Sequence, residues 1–324
     1  MQASGSHGHD GDRKPEVAEF LVGQRATSGR QHVGRVSAPE HLSVSASGVR
    51  FGSLAWGDPD APLALLVHGY PDTAWTWRHL GPHLAERGWR AVAPFTRGYA
   101  PKDLAPDDSY LIADQAADVV ALCNALGGDE RAVLIGHDWG AAAVWGVTAR
   151  EPQRFARYVA IAVPPPPVLL KPFGSLRTLG TGARQARMSW YFLYNQLPAS
   201  ERGLDRVIPK LWRDWSPGYD AREDLAHVFE SLDGFARRRA ALRDYRNNLQ
   251  RGLNATFTIH PGAPALYLHG ERDGCIQAAM AALSTDVLAS GSRYELVPDV
   301  GHFMQLEHPA RVNGLIEDWI SPAA

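Results

Sequence analysis

The sequence predicts an α/β protein: a mostly parallel sheet flanked by helices and interrupted once by a helical insertion. Three observations predict it. Short apolar runs such as Leu63-Ala64-Leu65-Leu66-Val67 alternate with longer stretches of helical spacing, the pattern of strands covered on both faces. One such run, Ala132-Val133-Leu134-Ile135, ends in Gly136-His137-Asp138-Trp139-Gly140 and passes straight into Ala-rich helical sequence. The strand pattern then stops at Pro164-Pro165-Pro166-Pro167 and resumes only near residue 258.

In chain order, strands are expected over His41–Ser45 and Val49–Trp56 with a turn at Ser47-Gly48, then over Leu63–Val67. A helix is expected from Trp75 to Arg87, stopped by Gly88, and a strand over Arg90–Pro94. Ile112, Ala116, Val119, Val120, Cys123 and Leu126 mark a helix within Asp108 to Leu126. The strand ending at Gly136 and its helix come next, then a strand between Phe155 and Val163. Four consecutive prolines continue neither element and are expected to form a stiff extended connector. Residues 164–257, rich in Arg, Trp, Tyr and Leu at helical spacing, are expected to be a helical cap. Strands over Pro264–His269 and Arg293–Val297 and helices over Ala278–Ala289 and Pro309–Ile320 complete residues 258–324. With residues 40–163 these form the expected core. Residues 1–39 are polar and are expected to be a partly disordered extension, His7 and His9 included.

Bulk composition narrows the function. The hydrophobic share of 45% over 324 residues is enough to bury a large core. A formal net charge of -2 offers no basic face, so nucleic acid is not an expected partner. Neither an apolar leader nor a run of ~18 to 20 apolar residues is present, so no membrane association is expected. Two cysteines in dissimilar contexts, Cys123 and Cys275, read as free thiols in a cytoplasmic protein, with no zinc spacing.

The chemistry is read from Asp138. A glycine-flanked residue on a sharp strand-to-helix turn is the elbow that exposes a nucleophile. A carboxylate there forms an ester by attacking an sp³ carbon that bears a leaving group. His302, in Gly301-His302-Phe303 after the last strand, is the expected base for the water that hydrolyses the ester. Asp273 is the expected orienter of that base, with Glu271 and Asp286 as rivals. The oxyanion hole is expected from the Trp139 N–H and, in the loop His68-Gly69-Tyr70-Pro71, the Tyr70 N–H.

These residues, with Arg97-Gly98-Tyr99 and Gly270-Glu271-Arg272-Asp273, make residues 40 to 322 resemble the α/β-hydrolase fold and, within it, the soluble epoxide hydrolases. Two cap segments strengthen the resemblance: Ser189-Trp190-Tyr191-Phe192-Leu193-Tyr194-Asn195-Gln196 and Asp244-Tyr245-Arg246-Asn247. The resemblance implies that Tyr191 and Tyr245 activate the epoxide oxygen, with Tyr194 close enough to compete with Tyr191. It implies a vicinal diol as product and no cofactor or metal. His68, Trp139, Trp190 and Tyr194 are the expected substrate-binding residues, for a small apolar or aromatic epoxide. A monomer or homodimer is expected. Haloalkane dehalogenases share this kind of triad without the tyrosine pair, and they and a non-catalytic receptor on the same fold are the alternatives.

Overall fold

The computed structural model describes residues 38–99, 104–174, 178–251 and 258–321. The expected N-terminal extension therefore lies outside the described residues, apart from residues 38 and 39. The apolar runs form strands β1 (Glu40–Ala46), β2 (Val49–Trp56), β3 (Leu63–Val67), β4 (Arg90–Pro94), β5 (Val133–His137), β6 (Arg157–Ile161), β7 (Ala265–Gly270) and β8 (Arg293–Val297). Among the described residues they make one sheet in the order β1-β2-β4-β3-β5-β6-β7-β8. β1 and β2 pair antiparallel, as do β2 and β4, and every other pair is parallel. β3, β4, β5 and β7 are buried along their whole length, as central strands between helical layers must be.

The order reverses at β3, which lies between β4 and β5. Loops leaving the carboxyl ends of β3 and β5 therefore diverge and open a crevice. The segments carrying Tyr70 and Asp138 both start there.

Three expected helices are shorter than their spacing implied. Trp75 to Arg87 divides into a 3-10 turn, Ala74–Trp77, and α1, Leu80–Ala85. Pro82 lacks an N–H and its ring crowds the carbonyl four residues back, so one continuous helix cannot pass. α2 spans Ile112–Ala125 because Asp108 adopts φ 57° and Leu111 is extended. Ala278 to Ala289 forms only the helix Ala278–Ala281 and a 3-10 turn, Ala282–Asp286. Ser284, Thr285 and Asp286 have side chains that compete for the backbone bonds of a helix. The proline run is also corrected: Pro165 is extended, but Pro166 opens a 3-10 helix, Pro166–Phe173. Proline at a first helical position loses no bond.

Between β6 and β7 the described residues contain no strand. The helices there include α4 (Leu179–Met188), α5 (Trp190–Gln196), α6 (Leu204–Trp215), α7 (Arg222–Ser231), α8 (Phe235–Ala241) and α9 (Arg243–Arg251). Leu204, Ile208, Leu211, Trp212 and Trp215 are the buried face of α6, the i, i+4, i+7, i+8, i+11 pattern of one helix side. This face joins Tyr191, Tyr245 and Phe303 in one apolar cluster over the carboxyl ends of the strands.

Candidate active site

Asp138 stands where β5 turns into α3 (Trp139–Arg150), with φ 54° and ψ −118°. Such a backbone costs of order 1–3 kcal/mol and persists only where the surroundings impose it. Glycines let the surroundings close. A Cβ on Gly140 would lie 2.1 Å from the Val67 carbonyl oxygen, and one on Gly69 would lie 2.4 Å from Asp138 Oδ1 and 2.5 Å from Trp139 N. Tyr70 N–H donates to Asp138 Oδ1 at 2.8 Å. The Trp139 N–H opens α3 and has no partner within the helix, as for any first-turn amide.

His302 reaches this carboxylate from the loop after β8. Its Nε2 has no hydrogen-bond partner and lies 3.5 Å from Asp138 Oδ2. Its Nδ1 is 2.9 Å from Asp273 Oδ2. The other Asp273 oxygen accepts the Cys275 N–H at 2.6 Å and the Ile276 N–H at 3.0 Å. Of the three acids that the sequence left open, only Asp273 meets the imidazole. Glu271 accepts the Asp299 N–H, and Asp286 pairs with Lys171.

The charges hold one another. Burial works against the imidazolium, but the Asp273 and Asp138 carboxylates outweigh it and raise His302 to about 10. Burial also opposes the charge on Asp273, yet the His302 imidazole keeps that carboxyl below the usual carboxylate range.

Facing Asp138 is a cavity of about 440 Å³ with mostly apolar walls, lined by Trp139, Tyr191, Phe192, Tyr245, Cys275 and Met280 among others. Tyr191, from α5, and Tyr245, from α9, are both buried, with ring centroids 5.7 Å apart and edge to face. Tyr245 also meets Trp139, Phe192 and Tyr70 edge to face. The Tyr191 hydroxyl lies 3.2 Å from Cys275 Sγ. Burial pushes both phenols well above their ordinary value, so they keep their protons.

Three expected substrate-binding residues are placed elsewhere. His68 is completely buried in the turn after β3 and lowered to about 4 by that burial. Its Nε2 accepts the Thr96 N–H at 3.0 Å, so Nδ1 carries the proton and donates to the Gly69 carbonyl at 2.9 Å. Trp190 faces an outer groove beneath the Lys210 ammonium, which lies 5.5 Å from its ring. Tyr194 donates to the Ser200 carbonyl at 3.1 Å and does not line the cavity. The two rings stand about one turn apart on α5, and their partners divide them: Tyr191 lines the cavity, while the Tyr194 hydroxyl is bound at the Ser200 carbonyl. Of the four, only Trp139 faces the cavity.

Several contributors carried no sequence signal. Cys275 was legible only as an unpaired thiol. The Trp215 carbonyl accepts both the His302 N–H at 3.0 Å and the Gly274 N–H at 3.1 Å, tying the base loop and the acid loop to the end of α6. Glu307 accepts the Gly301 N–H at 2.8 Å and the Ser216 hydroxyl at 2.6 Å. The Trp215 acceptor is main chain and leaves no residue-type signature.

Comparison with known proteins identifies the family to which this fold belongs. The family model for the alpha/beta hydrolase fold matches residues 62–309. Epoxide hydrolase B of Mycobacterium tuberculosis is 37% identical, over 86% of this chain and 98% of that protein. Epoxide hydrolase A of the same organism is 28% identical, over 88% of this chain and 98% of that protein. The crystal structure of epoxide hydrolase A from Mycobacterium thermoresistibile superposes with a TM-score of 0.71 at 30% identity, covering 87% of this chain and 98% of that one.

Proposed function

This chain belongs to the alpha/beta hydrolase fold family, on its epoxide hydrolase branch, and we propose that it opens an epoxide to a vicinal diol through an ester on Asp138. One observation carries the reading. A carboxylate on a strained elbow faces, across an apolar cavity, two buried phenols that keep their protons. Halide leaves as a stable anion and needs only hydrogen bonds. An epoxide oxygen leaves as a basic alkoxide and needs a proton, which Tyr191 and Tyr245 are built to give.

Asp138 Oδ1 rests on the Tyr70 N–H, so Oδ2 attacks an epoxide carbon. The carbon–oxygen bond breaks and the oxygen takes a phenolic proton; solvent restores it to the tyrosine. Esterification removes the Asp138 charge. His302 then loses one of the two carboxylates that hold its proton, releases that proton to solvent, and becomes a base only once there is an ester to hydrolyse. Its Nε2 takes a proton from water, and the hydroxide attacks the Asp138 carbonyl carbon. The Tyr70 and Trp139 N–H groups receive the oxyanion on Oδ1. Collapse breaks the ester carbon–oxygen bond, the His302 imidazolium protonates the leaving alkoxide to give the diol, and the new carboxyl group passes its proton to His302 to restore the carboxylate.

In this reading residues 164–257 act as the cap of a core made from 40–163 and 258–324. The substrate is a neutral, apolar or aromatic epoxide: among the described residues no lysine or arginine lines the cavity. A cytoplasmic setting is supported by two free, buried cysteines. No described helix is long and apolar enough to cross a membrane.

A single turnover in heavy-oxygen water tests the central step. The label is expected on the Asp138 side chain, and the first diol is expected to be unlabelled. Label in the first-turnover diol would mean direct attack by water and would end the ester reading.

A further inference from the structure

We propose that Asp138, Cys275 and His302 form a binding site for one soft divalent cation, zinc or cadmium, whose occupancy blocks the reaction. One ligand atom from each residue, a carboxylate oxygen, the thiol sulfur and a ring nitrogen, lies within 4.8 Å of the other two, and all three residues are buried. His302 Nε2 is aimed into this space and has no hydrogen-bond partner. Cys275 is a free cysteine, and its backbone is pinned by the bond from its N–H to Asp273 Oδ1.

The donor set fits the ion. Oxygen, nitrogen and sulfur together suit zinc, and thiolate favours the softer cadmium. Zinc–ligand bonds of ~2.0 to 2.3 Å put tetrahedral ligands about 3.3–3.7 Å apart. The 3.5 Å between His302 Nε2 and Asp138 Oδ2 already meets that spacing. The sulfur needs a shift of about 1 Å at most, and the fourth position opens to the cavity for water. The outer contact is also in place. A metal-bound imidazole orients best when its other nitrogen donates to a carboxylate, as His302 Nδ1 does to Asp273. On binding, the Cys275 thiol and the His302 imidazolium each release a proton to solvent. Carboxylate and thiolate then neutralise the dication, and the Tyr191 hydroxyl remains placed to donate to sulfur. The ion occupies both the attacking oxygen and the nitrogen that must accept a proton, so neither half of the reaction proceeds.

The existence of the site rests on geometry alone, and only the block on turnover rests on the proposed reaction. Metal-free protein titrated with Cd²⁺ should develop the ultraviolet thiolate-to-metal charge-transfer band at one ion per chain. The band should persist in Cys123→Ala, vanish in Cys275→Ala, and need at least tenfold more Cd²⁺ in His302→Gln. Zn²⁺ should compete it away. In epoxide turnover, each variant scaled to its own metal-free rate, Cys275→Ala and Cys275→Ser should each need about 100-fold more Zn²⁺ for half inhibition, and a chelator should restore wild-type activity. A band of equal strength in Cys275→Ala, or none in the wild type, overturns the site. A wild type that binds Cd²⁺ through Cys275 but hydrolyses no epoxide leaves the site standing and removes the proposed reaction instead.

Discussion

The sheet and the cap hold their polar groups by different means. On the sheet side, Asp138, Asp273 and His302 are positioned by main chain: an elbow at positive φ, two N–H donors on Asp273 Oδ1, and the His302 amide bound to the Trp215 carbonyl. On the cap side, the rings of Tyr191 and Tyr245 are held by packing against Phe192, Trp139, Trp215 and one another. A nucleophile, its base and the orienter of that base need positions fixed to tenths of an ångström, which backbone hydrogen bonds give. Groups that meet a variable substrate need a fitted wall, which aromatic packing gives.

The difference can be broken from either side. The largest effect should come from the sheet: Asp138→Ala should lower kcat by at least about 10⁴. Its companion His302→Gln should trap the ester, seen by mass spectrometry as a substrate adduct on the peptide carrying Asp138. On the cap, Tyr191→Phe with Tyr245→Phe should cost about 10⁴ in the alkylation rate, and each alone about 10². Single-turnover ester hydrolysis should be far less affected. A double variant that still alkylates at near wild-type rate would show that the cap only shapes the cavity.

A packing change should act on stability instead. Trp212 stacks on Phe303 with centroids 3.6 Å apart and donates to the Pro71 carbonyl at 2.8 Å. Trp212→Ala should therefore cost about 3–5 kcal/mol in urea unfolding. Retained stability there would mean that the cap contributes little to the fold.

The mildest effect is in pH. Only neutral His302 accepts a proton, so ester hydrolysis should slow as pH falls through its pKa. The ester lacks the Asp138 charge, so that midpoint should lie below the value of about 10 in the free protein. Rapid-quench measurement of ester decay against pH reads it directly.

The same contrast decided what the sequence revealed. Strand runs, the elbow glycines and the loops bearing Asp273 and His302 were legible because steric demands of backbone allow few residue types. β5 ends at His137 and delivers Asp138 as the elbow requires. The cap was harder. Tyr191 and Tyr194 are both aromatic on one short helix, and only the packing of α5 sends one inward and the other to the Ser200 carbonyl. His68 looked like a binding residue because it borders the oxyanion loop, yet its Nδ1 is taken by the Gly69 carbonyl of that turn and its Nε2 by the Thr96 N–H after β4. Cys275 and the Trp215 carbonyl act through proximity across 27 to 137 residues of chain, which local pattern does not record.

The two hydrogen bonds that the Trp215 carbonyl accepts set a rule for grafting. Because the acceptor is main chain, the residue at 215 can change without losing it. The loops that carry the donors are less free: a Cβ on Gly274 would lie 1.9 Å from the Asp214 carbonyl oxygen, and one on Gly301, the residue before His302, would lie 2.4 Å from that of Trp215. A foreign cap can be joined to this core only with a helix that ends at the same height over the two loops. A chimera whose helix stops one turn early would keep every side chain of the triad and lose its alignment.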